Sequence, residues 1–402
     1  MESSNNRNSW QFWPVMCLAF LYPVNLALIG VSIPIYYFTK GVSIIIIGFL
    51  ASALAITYSF SPILLNKHSQ KIGKKKSILI ATLGATGAQI SFYFTLDPVI
   101  FFIARLMEGF VMGFFWANLQ STISDSPMDK QSKYASYFNL SWNLGVLNGF
   151  LLGAIVLFFI DDVKIIFFLA PLILILTSVI ALIFFQEPPN INSQTSSYDK
   201  YDLRIEESDS QDKNEFSKYS IPITVPLLLG ACYCISRSSI GLLYPVKSEI
   251  LGLETYTVYG FFFFMFLGQT IFTVISSHLT MKSLKIMTPI SLVGATIIIL
   301  NFGMIITFNI FLYIILFLLI GCCNGLLIGI TVKLFVALNV KYQTSKYSSI
   351  HASLIGISLL ITPILVGFIA AIDLTLGFYS VSIVMLVSLV PAVIFLNKIH
   401  KE

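Results

Sequence analysis

The sequence predicts an all-α membrane protein with twelve transmembrane helices, arranged as two pseudo-symmetric six-helix bundles. Three observations carry that prediction. Apolar residues make up 56% of the 402, charged residues only 11%, and the mean hydropathy is +0.86, which places the chain among polytopic membrane proteins before any motif is read. Uncharged stretches of about 20 residues, long enough to cross the hydrocarbon core as helices, recur along almost the whole chain. Short motifs of the first half return in the same order in the second.

Twelve spans can be placed, near residues 13–38, 42–65, 77–96, 98–122, 135–159, 165–185, 221–246, 255–278, 286–308, 310–336, 347–371 and 375–396. The first is too long for the apolar core of a signal peptide and has no small-residue cleavage site, so it is expected to stay as a span. Cys17, Cys232, Cys234, Cys322 and Cys323 all lie inside apolar runs, at spacings that suit neither a zinc site nor a disulfide framework. They read as buried packing thiols, and no metal or other cofactor is implied.

The loops set the orientation. With the N-terminus inside, the inner loops hold Lys67, Lys71, Lys74, Lys75, Lys76, Lys130, Lys133, Lys282, Lys285, Lys341 and Lys346, with Lys398 and Lys401 in the tail. The outer loops hold only Lys40, Lys164 and Lys247, against Asp97, Asp161, Asp162, Glu249, Glu254 and Asp373. This asymmetry predicts a multi-pass protein of the cell membrane with both termini cytoplasmic. The net charge of +5 sits in those loops and forms no field for nucleic acid, so lipid and a small solute are the expected partners.

Between the sixth and seventh spans, Gln186 to Tyr219 contains eight acidic and four basic residues and few apolar ones. Such a segment cannot bury a core of its own. It reads as a solvated connector, with a regulatory docking site as the alternative, and it divides the chain into residues 1–185, a linker at 186–220, and 221–402. The halves repeat. Ile29-Gly30 with Pro34 corresponds to Ile240-Gly241 with Pro245, Gly48-Phe49 to Gly260-Phe261, and Gly84-Ala85-Thr86 to Gly294-Ala295-Thr296. Gly109 and Gly113 correspond to Gly321 and Gly325, and Ser132-Lys133-Tyr134 to Ser345-Lys346-Tyr347. Five matches in order at a nearly constant offset argue for duplication of a six-helix unit, with a pseudo-two-fold axis along the membrane normal.

One span is anomalous. Phe101 to Gln120 is apolar enough to cross a bilayer yet carries Arg105 and Glu108, and a charge at membrane depth costs at least about 2.5–3.5 kcal/mol on insertion scales. At about 100° per residue, Arg105, Glu108, Gly109, Met112, Gly113, Trp116 and Gln120 share one broad stripe. That face should look at protein or water. The charges have no equivalents in the matching tenth span.

On these features the chain resembles the major facilitator superfamily over essentially its full length. Asn66 to Lys76 (NKHSQKIGKKK) is similar to the family's cytoplasmic loop motif, with Lys71, Gly73, Lys74 and Lys75 at matching positions. Asn66 replaces the motif's first Gly and Gln70 its Asp, so the usual gating lock lacks its acid; simple topogenic lysines account for the charges equally well. Arg105-Leu106-Met107-Glu108-Gly109 resembles the family's Arg-x-x-Gln-Gly pattern. Gly145 to Ala154 is similar to the glycine-rich motif of drug:proton antiporters, with Phe150 where that motif has Pro. Glycines at steps of four also simply let two helices approach closely.

The resemblance implies that spans 1, 4, 7 and 10 line a central cavity. The polar inventory agrees: Asn25, Arg105, Glu108, Arg237 and Asn324 lie in those spans, Asn139 and Asn143 share a face of span 5, and Tyr233 flanks Arg237. With Trp116 these are the candidate substrate-binding residues, and Lys71, Gly73, Lys74 and Lys75 the candidate gating loop. Arg105 lies about 10 Å and Arg237 about 13 Å in from the outer ends of their spans, at the helical rise. Two arginines against one glutamate favour an anionic or carboxylate-bearing solute.

Structural readings stand beside these. Arg105 and Glu108, three residues apart, can neutralise each other; Arg237 can be satisfied by helix carbonyls or Ser238; His351 can be a core histidine and not a proton carrier. Glu108 is the sole carboxylate well inside a span and so the candidate for coupling to a proton. If Arg105 dominates its environment, a uniporter or exchanger is expected instead.

The expected function is a secondary active or facilitative transporter moving a small solute by alternating access, and not an enzyme. No ATP-binding phosphate loop exists in the sequence. The alternatives are a proton-coupled exporter of amphipathic compounds and a non-transporting membrane regulator of the same fold. The chain is expected to act as a monomer.

Overall fold

Thirteen helices carry most of the described chain, which in this computed structural model comprises residues 11–126, 128–187, 219–305, 307, 309–342 and 346–401. Linker residues 188–218 and Ser345 of the second Ser-Lys-Tyr motif lie outside the described residues. The helices are α1 (Trp13–Thr39), α2 (Ile44–Tyr58), α3 (Ser61–Ile72), α4 (Lys74–Thr95), α5 (Pro98–Ser124), α6 (Met128–Phe159) and α7 (Lys164–Ile183). The second set is α8 (Thr224–Ile250), α9 (Thr255–Ser277), α10 (Met281–Met304), α11 (Ile310–Lys341), α12 (Lys346–Ala370) and α13 (Leu374–Asn397). Two short strands, β1 (Tyr219–Ser220) and β2 (His400–Lys401), pair antiparallel with Tyr219 opposite Lys401. Among the described residues eleven helical segments are long and apolar enough to cross a membrane, α2 and the start of α3 counting as one; α4, over the expected third span, is not among them.

The expected second span is therefore broken. Pro62 in the first turn of α3 has no N–H to return to the Tyr58 carbonyl, and its ring crowds that carbonyl, so the helix restarts after Ser59 and Phe60. The expected loop at 66–76 is almost entirely helix. It turns at Gly73 alone, whose φ of 88° and ψ of 158° lie in a region open essentially to glycine. Helix starts are set by side chains that satisfy the free N–H groups of the first turn. Asp97 accepts from Val99 and Ile100, Asp373 from Thr375 and Leu376, and Thr280 from Ser283. Lys247, expected in an outer loop, is instead buried in the last turn of α8, where Nζ donates to the carbonyls of Phe302 and Gly303 at the end of α10.

Two of the repeated glycine pairs do the same work twice, whereas Gly48 packs on Pro363 and a Cβ on its counterpart Gly260 would meet nothing within 4 Å. A Cβ at Gly109 would stand 2.1 Å from the Leu54 carbonyl oxygen of α2, and one at Gly321 would stand 2.0 Å from that of Met265 in α9. Gly84 abuts Val111, while Gly294 abuts Cys323, so the contact of the third span with the fourth recurs between the ninth and tenth. Close backbone approach of this kind is how helices associate where lipid offers no hydrophobic drive.

Helices α1 to α7 pack on one another, chiefly as α1 with α6 and α7, α4 with α5 and α7, and α2 with α5. Helices α8 to α13 do likewise, with α9 against α11 and α10 against α13. The two sets meet along α2–α12, α6–α9 and α1–α8. Near the end of the molecule bearing Asp161 and Glu254, Tyr259 of α9 crosses this boundary. Its hydroxyl lies 2.5 Å from both Ser32 Oγ and the Leu28 carbonyl oxygen of α1, and its ring rests where a Cβ on Gly153 would stand, 2.3 Å away. Gly145 and Gly149 instead bring α6 onto Phe20 and Val24 of α1. The glycine-rich stretch of α6 thus serves close packing, twice within one set and once between the two.

Candidate functional site

The charges of α5 are held in a buried network that draws on four helices. Arg105 Nη1 donates to Glu108 Oε2 at 2.5 Å, and Gln89 Nε2 of α4 donates to Glu108 Oε1 at 3.0 Å. Gln89 and Asn25 of α1 exchange amide hydrogen bonds at 2.8 Å in each direction. Asn25 Nδ2 also donates to the Ala170 carbonyl of α7 at 2.7 Å. Arg105 is 6% exposed, and Asn25, Gln89 and Glu108 are 0%. A buried ion pair stands only if its remaining polar atoms find partners. Here both carboxylate oxygens are occupied, and Arg105 Nε is buried without a hydrogen bond among the described residues. Gln89 carried no weight in the sequence reading; its signal is a lone amide in an otherwise apolar third span.

Arg237 of α8 is placed differently. Its Nη1 donates to Tyr233 Oη at 2.9 Å, and its guanidinium stacks over Phe266 of α9 at 4.9 Å and Trp142 of α6 at 5.7 Å. Aromatic faces attract a cation and leave its in-plane N–H groups for other acceptors. No carboxylate forms an ion pair with Arg237 among the described residues; the pairs found there are Lys74–Asp125 and Arg105–Glu108. Among the described residues, Asn324 of α11 is 0% exposed with neither amide atom hydrogen-bonded, and Gln269 of α9 is 2% exposed with Oε1 unpartnered. The Gln269 side chain neighbours the Tyr233 hydroxyl.

Among the other candidates, Trp116 is buried in an aromatic cluster with Tyr22, Phe115 and Phe138. Asn143 is turned back on its own helix, donating to the Asn139 carbonyl at 2.8 Å, and Asn139 is exposed. The α6 residue that reaches Arg237 is Trp142. Its neighbour Asn143 drew attention through its polarity, whereas a tryptophan in an apolar run carries no such mark. His351 of α12 lies against Phe335, with ring centroids 5.1 Å apart.

At the lysine-rich end, Lys74 pairs with Asp125 at the C-terminus of α5. Lys75 donates its backbone N–H to Glu187 Oε1 at 3.0 Å, and that carboxylate also lies against Gly73. Lys71 is exposed in the last turn of α3. Around Gln70 two carboxylates thus lie close, one at the N-terminus of α4 and one beside Lys74, where a negative charge is favoured. A cavity of about 520 Å³, lined by Ser69, Gln70, Lys74, Asn118, Asp125 and Glu187 among others, opens at this end. Arg105, Glu108 and Arg237 do not line it.

Fold and buried charges together define a multi-pass membrane protein of the transporter class. The chain belongs to the Major Facilitator Superfamily, whose family model matches residues 15–330. This is a family of transporters and not of enzymes. Among solved structures the chain is similar to the nucleoside transporter NupG, at 13% identity over 96% of this chain and 98% of that one, with a TM-score of 0.64. It is similar also to a single-residue mutant of NupG, at 15% identity and the same coverage, with a TM-score of 0.65. Identity at that level establishes a shared fold. No curated protein sequence matches the chain.

Proposed function

We propose that the protein is a secondary transporter of twelve spans, α2 and α3 forming one of them, in which residues 1–185 and 221–402 form two six-helix halves that rock around a midplane site. The solute is a small organic anion, and Arg237 is the residue that holds it. The observation that carries this reading is a cation at the boundary of the halves, touched by Trp142 from one and Phe266 from the other, with no carboxylate paired to it among the described residues. A cation so placed has a use for an anion that both halves can grip.

Arg105 is matched by Glu108 within its own helix, which leaves Arg237 as the positive charge on offer. With both Glu108 oxygens occupied, facilitated or exchange transport is favoured over proton coupling through that residue. The seal at Tyr259 supports a state closed at the Asp161 end and accessible from the lysine-rich end, which the loop charges assign to the cytoplasm.

Uptake of labelled monocarboxylates and nucleosides into proteoliposomes, with and without a pH gradient, tests the proposal. Carboxylate flux that Arg237→Gln abolishes is expected. Export of lipophilic cations without any anion flux contradicts it and favours the proton-coupled exporter.

A further inference from the structure

Resting on the reading of Arg237 as the anion-holding residue, we infer that Asn324 and Gln269 form a second, neutral subsite, so that the solute carries an amide-like edge as well as its carboxylate. Burying an amide without hydrogen bonds costs about 1–3 kcal/mol on protein scales, and buried side-chain amides in folded proteins are nearly always paired. Asn324 breaks that rule with both its atoms, and Gln269 with its acceptor. On the other side of the molecule Asn25 and Gln89, equally buried, satisfy each other.

The placement points to the same solute that Arg237 would hold. Helices α8 and α11 run antiparallel, since Lys341 at the end of α11 donates to the Tyr219 carbonyl just ahead of α8. A Cβ on Gly230 of α8 would meet Thr331 of α11 at 3.1 Å. Two helical turns further along, Arg237 lies on the face of Gly230 and Asn324 on the face of Thr331, so the two are level across the same helix pair. Gln269 enters from α9, its backbone oxygen 2.4 Å from where a Cβ on Gly325 would stand. A donor and an acceptor side by side on Asn324 match a group offering an acceptor and a donor side by side, which an amide does and a hydrocarbon or a bare carboxylate does not.

Thermal unfolding of the purified full-length protein in detergent tests this with two probes of similar shape: succinamate, which joins a carboxylate to an amide, and isocaproate, in which an isopropyl group replaces the amide. Succinamate should bind about tenfold more tightly than isocaproate, the worth of one hydrogen bond to a buried group. Asn324→Leu should erase that preference, keep the isocaproate shift, and raise the ligand-free Tm because an unpaired amide has been removed. Gln269→Met carries the same test should Asn324→Leu not fold. Equal shifts from the two probes, or a fall in ligand-free Tm on Asn324→Leu, overturn the inference. An isocaproate shift that Arg237→Gln removes leaves the anion reading standing in that event, whereas no shift from either carboxylate sinks both.

Discussion

The two sides of the molecule handle buried polarity in opposite ways. In α1, α4, α5 and α7, two charges and two amides are closed upon one another, with hydrogen bonds of 2.5–3.0 Å linking Arg105, Glu108, Gln89 and Asn25. In α8, α9 and α11, an arginine lacks a carboxylate, and the Asn324 amide and Gln269 Oε1 lack partners among the described residues. The contrast is informative because close glycine contacts recur at matched positions, Gly109 with Gly321 and Gly84 with Gly294, while the polar groups around them do not. Satisfied networks rigidify a fold; unsatisfied ones are kept where something else completes them. The first region reads as the frame and the second as the place for a solute.

The largest effect should come from breaking the frame. Arg105→Met or Glu108→Leu alone leaves a buried charge unpaired and should destabilise the protein by about 3–5 kcal/mol. The double substitution should recover most of that loss, measured as a double-mutant cycle of unfolding in detergent. Loss of equal size in the double variant would mean that the pair matters for something other than mutual neutralisation. Next in size, Gly109→Ala and Gly321→Ala each place a methyl about 2 Å from a facing carbonyl, and overpacking of that kind costs about 1–3 kcal/mol. Similar falls in Tm at the two positions are expected; a large effect at one alone would break the equivalence of the halves.

Much of this was legible in the sequence. Apolar runs marked the helices, with boundaries off by up to seven residues, as at the start of α6, and the offset between repeats marked two glycine pairs whose contacts recur. Arg105 and Glu108 stood out because a charge in an apolar run is costly, and their spacing already allowed them to pair. What escaped was whatever depends on a distant partner. Gln89, Gln269 and Trp142 matter through residues on other helices, and no local pattern distinguishes a lone amide that is paired, as Gln89 is, from one that is not. The break at Ser59 follows from Pro62, yet an uninterrupted run of hydropathy hid it. Lys247 looked like a loop charge because its carbonyl partners lie 55 and 56 residues further along the chain.

Smaller effects are expected where the two sets of helices meet. Tyr259→Phe removes the hydroxyl that ties α9 to α1 and should shift the balance of the two access states by about fivefold, the worth of one hydrogen bond. Labelling of a cysteine introduced beyond the seal should therefore speed up, and unchanged labelling would take the seal out of the account. The smallest effect is local. The Leu376 backbone N–H, with Thr375, holds the Asp373 carboxyl below its ordinary pKa, so its contribution is present above the usual carboxylate range and is lost as pH falls through the lowered value. Asp373→Ala should lower Tm at neutral pH and converge with the parent protein in strong acid.

On the proposed reading, the solute is held on the α8 side and the frame on the α5 side. Counterflow of labelled succinamate in proteoliposomes measures it, with KM compared between Arg237→Gln and the double variant Arg105→Met, Glu108→Leu. The account predicts a KM raised about tenfold or more for Arg237→Gln, the worth of a lost charge-assisted hydrogen bond, and a KM close to that of the parent for the double variant. An unchanged KM for Arg237→Gln alongside a raised one for the double variant would contradict it.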